Sequence, residues 1–282
     1  MITWMKTAGL LLSGTIAAGM YGSLAYAADI SAPTSLPAVS APNGKLELGA
    51  GWVDLNNLSS DTEFRGGASF SFPVGDMFGI QADLAVVDAF NDTSVGGTIH
   101  AFTRDPNSYL FGVIGGYADA SPANALYGGP EVELYLNNIS VEAIAGVMDL
   151  SGSQNGTKFY AIGDLALYAT DNLRLSIGGS TIAGFNSAQA GIEWYLADIG
   201  LPSSFTVKGR VGEDGFASIA VGFSIYFGGE DKSLIRRHRE DDPRNRSLDI
   251  FAAAADGTKV GKGKDPCVVD PESCVVPTPP PA

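Results

Sequence analysis

An alternation of apolar with small or polar residues fills the stretch Ala217-Ser218-Ile219-Ala220-Val221-Gly222-Phe223-Ser224-Ile225-Tyr226-Phe227. Successive side chains of a β-strand point to opposite faces, so this segment has one apolar face and one face that is small or polar. Similar segments, separated by turns rich in Gly, Asn, Asp and Pro, recur about twelve times from residue 45 onward. The pattern predicts an antiparallel sheet with one continuous apolar face.

Twelve strands are predicted, with eight or ten as the alternatives. They lie near residues 45–54, 62–72, 77–87, 95–104, 109–117, 126–136, 139–149, 158–168, 172–181, 187–196, 204–212 and 216–227. Short turns at one end of the sheet, such as 137–138, are predicted to alternate with longer connections at the other end, at 88–94, 118–125 and 150–157.

The first 27 residues are typical of a secretory signal peptide. Lys6 gives a positive start, an uncharged apolar run follows, and Ala25-Tyr26-Ala27 predicts cleavage between Ala27 and Ala28. A single membrane anchor helix is the alternative, but Ser, Thr and Gly interrupt the run. The segment therefore predicts that the protein is exported.

An exported sheet of this size with an apolar face predicts a closed transmembrane barrel at residues 44–229, rather than a soluble sandwich. Closure satisfies the edge amides that lipid would leave unpaired, and an even strand number returns both termini to one side. Residues 28–229 carry seven Lys and Arg against 21 Asp and Glu. Such an acidic region excludes nucleic acid as a partner, since phosphate contacts need clustered basic residues.

The chain resembles the small outer-membrane β-barrel proteins of Gram-negative bacteria, grouped as porin or outer membrane protein A-like barrels. The resemblance covers residues 28–229 and is carried by the Ala25–Asp29 junction, by Gly129-Pro130-Glu131-Val132-Glu133-Leu134-Tyr135-Leu136 and by Val221–Phe227. It implies an outer-membrane location, contact with lipid and lipopolysaccharide, and insertion by the barrel-assembly machinery. Barrels of these families often end on the last aromatic residue, whereas 55 residues follow Phe227 here.

If the apolar positions face lipid, a set of charged side chains faces the lumen. The candidates for selectivity are Glu131, Glu133, Asp164, Lys208, Arg210, Asp83, Arg65 and His100. In one interpretation acidic and basic walls oppose each other across a wet gap, giving a narrow pore for passive diffusion of small solutes. In the other, these groups pair directly and fill a structural or adhesin-type scaffold. Twelve strands suit either interpretation.

A lipid-modifying enzyme is a minor alternative. It needs a nucleophile and a base in hydrogen-bond reach near the outer rim, whereas the chain has two histidines, His100 within a strand and His238 in the tail. Gly-x-Ser-x-Gly does not occur in the sequence. We predict no catalytic residue, cofactor or metal site.

Two segments flank the predicted barrel. Residues 28–43, rich in Pro, Ser and Ala, predict a flexible periplasmic leader, with a plug folded into the lumen as the alternative. Residues 230–282, charged and then Pro-rich, predict a mostly disordered periplasmic tail, with a possible short helix near 232–240 and a possible Cys267–Cys274 disulfide. A contact of this tail with peptidoglycan or a periplasmic protein is the functional alternative.

Overall fold

The computed structural model describes residues 36–55, 60–120, 123–152, 155–196, 200–228, 232–241 and 243–250, which all belong to one compact unit. The predicted signal peptide with its Ala27–Ala28 cleavage site, the start of the leader, and Cys267 and Cys274 lie outside these residues. Within the described ranges, no helix is both long and apolar enough to cross a membrane.

Twelve strands account for most of the described chain. They are β1 (Asn43–Leu55), β2 (Ser60–Val74), β3 (Phe78–Ala89), β4 (Asp92–Asp105), β5 (Tyr109–Ala120), β6 (Ala123–Leu136), β7 (Ile139–Gly152), β8 (Gly156–Thr170), β9 (Leu173–Ile182), β10 (Phe185–Tyr195), β11 (Ser203–Gly212) and β12 (Phe216–Phe227). A helix, α1 (Leu234–Glu240), follows β12.

The strands form a closed antiparallel barrel in which each strand pairs with its neighbours in sequence and β1 closes against β12. At the closure, Gly44 lies opposite Phe227 and Leu55 lies opposite Phe216. The predicted all-β barrel of twelve strands is therefore confirmed. We call the end that holds Asn43 and Phe227 the terminal end, and the other the far end.

The apolar face of the sheet covers the outside of the barrel. β3 shows the alternation clearly, because Leu84 and Val86 are exposed while Ala85 and Val87 are buried. A charged side chain on the outer face of a membrane barrel costs roughly 2–4 kcal/mol near mid-membrane and little near the interfaces. The exposed strand charges follow that rule, since they all lie toward the far end: Asp88, Asp119, Asp149 and Lys158.

The connections at the far end are shorter than predicted. Phe90 and Asn91 alone link β3 to β4, with φ of 57° and 60°, where a longer connection at 88–94 was expected. The Phe90 amide donates to Asp61 at 2.5 Å, which supports this left-handed turn. Likewise, only residues 121–122 separate β5 from β6. The predicted contrast between short and long loops is wrong, because the strands continue almost to their turns.

The largest departure from the sequence prediction concerns the segment after β12. A mostly disordered tail was expected from residue 230, with a possible short helix near 232–240. The helix is confirmed as α1, but residues 232–241 and 243–250 fold back into the barrel lumen, and we call them the plug. Leu234, Arg237, Arg246 and Ile250 are buried there. Its basic side chains meet carboxylates of the lumen wall, so charge complementarity offsets the cost of ordering this segment. Residues 251–282 lie outside the described residues.

The leader also differs from its prediction where it is described. Ala38 and Val39 are fully buried, and Val39 packs against Phe102, Leu110 and Tyr135 inside the terminal end. Residues 36–42 are thus held by apolar packing instead of forming a flexible linker.

Candidate functional site

The lumen is the candidate site, and its contents change with height. An aromatic layer lies at the terminal end, an ionic layer in the middle and an apolar layer toward the far end. The plug enters through the first, pairs with the second and reaches the third.

The aromatic layer comes from even-numbered strands close to the terminal end. β4, β6, β8, β10 and β12 each turn one ring inward, and all five rings are nearly inaccessible to solvent: Phe102, Tyr135, Tyr168, Tyr195 and Tyr226. We call this set the collar. Because adjacent strands are antiparallel, alternate strands all reach the terminal end in the same direction, which allows one sequence position to be repeated around the barrel.

Helix α1 places two guanidinium groups on the collar. Arg237 lies 5.4 Å from the ring centroid of Tyr195 and 5.1 Å from that of Tyr226. Arg239 lies 4.9 Å from the ring centroid of Tyr135 and 5.7 Å from that of Tyr168. Cations over aromatic faces are attracted by the ring quadrupole, more strongly when desolvated. The collar therefore holds α1 at the terminal end.

Arg239 of α1 also donates hydrogen bonds to the turn between β6 and β7. It donates to the Asn137 carbonyl at 2.7 Å and to the Ile139 carbonyl at 2.9 Å. His238 shares a hydrogen bond of 2.8 Å with the Tyr168 hydroxyl. These directional contacts fix the rotation of α1 about its axis.

The leader and the plug fasten to each other and to β4. Arg104 donates to the Ala38 carbonyl at 2.6 Å and to the Asp241 carbonyl at 2.9 Å. The Asp241 carboxylate accepts from Ser40 at 2.5 Å and from Lys232 at 2.6 Å. The leader and the plug thus close the terminal end of the barrel together.

The carboxyl group of Glu240, at the end of α1, has a lowered pKa. Burial would raise its pKa, but hydrogen bonds from Arg236 and Lys232 and their positive charges stabilise the carboxylate and hold the pKa below its usual value. The Arg236 guanidinium lies 2.8 Å from this carboxylate, and the Lys232 ammonium lies 3.2 Å from it.

The ionic layer is a network between the plug and opposite walls. Arg246 donates to Asp164 at 2.9 Å and to Glu142 at 3.0 Å. Arg244 donates to Asp164 at 3.0 Å and lies 3.3 Å from Glu142. Asp249 pairs with Lys208 on β11 and with Arg244 at 3.3 Å. The plug therefore bridges the acidic β7–β8 wall to the basic β11 wall.

This arrangement differs from both sequence interpretations. Asp164 and Lys208 were expected either to face each other across water or to pair directly. Instead, Asp164 binds the two plug arginines and the Gln189 amide at 2.7 Å, while Lys208 binds Asp249. The structure brings both residues to one network, but through the plug.

His100 forms a separate buried cluster. It hydrogen-bonds with Glu131 at 2.8 Å and with Asp83 at 3.1 Å, and the Gln81 amide donates to Asp83 at 2.8 Å. Two carboxylates around an imidazole do not make a nucleophile–base pair. Among the described residues no serine hydroxyl bonds to His100, and none of the His, Cys, Asp and Glu groups there has the arrangement of a metal site.

The other three candidates make different contacts. Glu133 accepts a hydrogen bond from Tyr135 at 2.9 Å and lies opposite Glu142 in the register of β6 and β7. Arg65 pairs with Glu63 on its own strand. Arg210 is buried on β11, opposite Gln189 of β10.

A chamber remains beside the plug. It has a volume of about 110 Å³ and lies between the plug and the inner faces of β1, β2, β10, β11 and β12. β12 contributes Ala220, Gly222 and Ser224, whose side chains are too small to reach the plug. The small residues that alternate in the 217–227 stretch therefore leave this space open.

Apolar side chains fill the lumen toward the far end. Ile144, Met148, Tyr160 and Ile182 belong to one buried cluster that also includes Ile250 of the plug. A second cluster joins Val53, Leu55, Phe185 and Phe216, with Phe185 and Phe216 edge to face at 5.6 Å. We call the second cluster the lid, because it lies above the chamber on β1, β10 and β12.

The sequence interpretation missed the residues of the plug, above all Arg244, Arg246 and Asp249. A signal was present, since the acidic barrel region is followed by a segment with six Lys and Arg between residues 232 and 246. Opposite charges on two parts of one chain favour their contact, but they do not say where that contact lies.

Comparisons with known proteins give a likeness of fold. No family model matches the chain, and no curated protein matches it. Among solved structures, the KdgM porin in complex with disordered oligogalacturonate has a TM-score of 0.51 and 7% identity, covering 65% of this chain and 99% of that one. Outer membrane phospholipase A from Escherichia coli has a TM-score of 0.45 and 14% identity, covering 66% and 92%. The Acinetobacter baumannii outer membrane protein Omp33 has a TM-score of 0.43 and 10% identity, covering 66% and 98%. The porin likeness shows that the chain has the fold of outer-membrane barrels.

Proposed function

We propose that this protein is an outer-membrane channel for passive diffusion of small solutes, closed in the described state by its own C-terminal plug. Both termini of the barrel would face the periplasm. Lipid and lipopolysaccharide would contact the apolar belt, and the barrel-assembly machinery would insert it. A peptidoglycan or periplasmic contact by the tail would fall mainly to residues beyond 250.

Support for the membrane location comes from the outer face. Large apolar side chains cover it at mid-height, and four examples are 46–63% exposed: Leu84, Leu165, Ile177 and Ile192. In water such a belt would drive association, whereas lipid solvates it.

The observation that carries the channel proposal is the pairing of Arg244 and Arg246 with Glu142 and Asp164. An interface of charges can separate more easily than an apolar one, because water solvates both sides once the plug leaves. The wall beneath the plug is lined by charged side chains, which would then border a wet lumen.

Conductance across planar bilayers tests the proposal. Brief and infrequent openings are expected for the full chain, and a double variant, Arg244→Gln with Arg246→Gln, should open far more often. Lys158→Gln is the control, because Lys158 is an exposed basic residue near the far end and does not belong to the plug. Equal opening of the double variant and the control would contradict a plug-controlled channel.

A permanently filled scaffold is the second candidate. The apolar clusters of the far end favour it, since they pack the lumen as a protein core does. It predicts no conductance steps in the full chain or in the Arg244 and Arg246 double variant.

A further inference from the structure

The chamber differs in charge from the wall that the plug covers. Four basic side chains border it: Lys45, Arg65, Lys208 and Arg244. Three carboxylates also border it, namely Glu47, Glu193 and Asp249. Basic groups therefore exceed acidic ones here, although the whole chain has a net charge of −14.

Each of the three chamber carboxylates has a neighbouring partner, which for Glu47 is the Lys45 ammonium at 3.8 Å. Asp249 pairs with Lys208 and, at 3.3 Å, with Arg244. Glu193 accepts from the Tyr226 hydroxyl at 2.9 Å and from Ser204 at 2.8 Å. These pairings offset the three negative charges and leave the lining with an excess of one Lys or Arg over the carboxylates.

One basic group has spare donor capacity. The Nε of Arg65 is buried and has no hydrogen-bond partner among the described residues. A buried donor without an acceptor is costly, and an anion in the chamber would relieve that cost.

The plug also separates the chamber from the acidic wall. Arg244 borders this space and pairs with the carboxylates of Glu142 and Asp164, which Arg246 also contacts. Asp83 and Glu131 are engaged with His100 and do not border the chamber. A solute beside the plug meets the basic wall and the plug arginine, not the acidic wall.

From this geometry we propose that solutes cross the barrel through the chamber, beside the docked plug, and that Lys45, Arg65, Lys208 and Arg244 make this path select small anions. The inference rests on the proposed channel function. It makes the C-terminal segment a selectivity element as well as an obstruction. With a volume of about 110 Å³, the chamber takes a few water molecules or one small anion such as chloride or formate.

The lid must part for passage, because Phe185 and Phe216 lie at the far end of the strands that border the chamber. Apolar constrictions of this kind stop ions by excluding water and conduct when they widen. Parting of the lid then gives the brief openings of the full chain, in which the plug stays docked, while the basic residues control which ions enter.

Reversal potentials in a potassium chloride gradient test the inference with the full chain. The unaltered protein should prefer chloride, and Lys45→Gln with Arg65→Gln should lower the chloride-to-potassium permeability ratio by about threefold per charge removed. Arg244→Gln should lower the ratio in the same direction. Lys158→Gln removes one positive charge from the exposed far end, and it should leave the ratio unchanged.

Each outcome decides a different point. Conductance with a preference for potassium, or an unchanged ratio in the Lys45 and Arg65 variant, overturns the anion path and leaves the channel standing. No conductance in the full chain and in the Arg244 and Arg246 double variant overturns the channel function, and the anion path with it. Circular dichroism of each variant confirms that the barrel has folded.

Discussion

Arg246 of the plug and Asp164 of β8 are 82 positions apart in sequence, and their side chains meet at 2.9 Å in the middle of the lumen. Both side chains are almost completely buried, with 3% and 2% exposure. The pair shows that the segment after the barrel belongs to the lumen. It also makes the carboxylate of Asp164 the natural place to test how firmly the plug is held.

Asp164→Asn should loosen the plug without changing the plug sequence. The variant leaves Arg244 and Arg246 without one of the two carboxylates of the barrel wall that they contact, and breaking a buried ion pair costs on the order of 3 kcal/mol. We expect trypsin to remove the plug faster from folded protein. Asp149→Asn is the control, because Asp149 is exposed near the far end. Identical digestion rates for the two variants would argue against docking through Asp164.

The collar gives a second prediction. Arg239→Lys keeps the positive charge but loses the planar fork that reaches the carbonyls of Asn137 and Ile139 and lies over two tyrosine rings. Hydrogen exchange of the α1 amides should become faster in Arg239→Lys, and faster again in Arg239→Gln. If lysine protects these amides as well as arginine does, charge alone holds the helix.

Acidity should release the terminal end of the plug. The pKa of Glu240 is lower in the folded plug, where Arg236 and Lys232 stabilise its carboxylate, than in an unfolded segment, so the contribution of Glu240 to the folded plug is present above its ordinary pKa. That contribution is lost as the pH falls through the lowered pKa, below the ordinary value of about 4.5. Channel opening should therefore rise on acidification below this pH and stay flat between pH 6 and 8 on this account.

Glu240→Gln provides the control for the acid response. It removes the titrating group, so opening at neutral pH should resemble that of the acidified protein, and the response below the ordinary glutamate pKa should shrink. A full acid response in Glu240→Gln would assign the effect to other groups.

The free-energy cost of a charge on the outer apolar belt should depend on its height in the membrane. Ile177 is 63% exposed in the middle of β9, so Ile177→Arg should lower the free energy of unfolding in bilayers by roughly 2–4 kcal/mol. Thr157→Arg places the same charge near the far end, where the cost should be close to zero. Urea titrations in lipid vesicles compare the two, and equal costs would mean that the apolar belt does not span the membrane.

The strand pattern was predictable because the alternation of apolar and polar residues lies within the sequence of each strand. Alternation in 217–227 places Ile219 and Val221 outside and Ala220 and Gly222 inside, and β12 follows that assignment. Strand ends were less predictable. The Phe90–Asn91 turn depends on a side chain of β2, Asp61, which no local pattern reveals.

The candidate site was predictable in part. Asp164, Lys208, His100 and Glu131 face the lumen as the alternation requires, since an outward charge at mid-height would be costly in lipid. Their partners were not predictable, because His100 binds residues 17 and 31 positions away and Lys208 binds Asp249 of the plug.

The sequence by itself therefore determined the barrel, the strand number and the division between apolar outside and charged inside, because side-chain direction in a strand depends only on position parity. Tertiary structure alone decided what fills the lumen. Contacts such as that of Arg246 with Glu142 join residues 104 positions apart. Such an ion pair can stabilise the protein only after the barrel has closed around the plug.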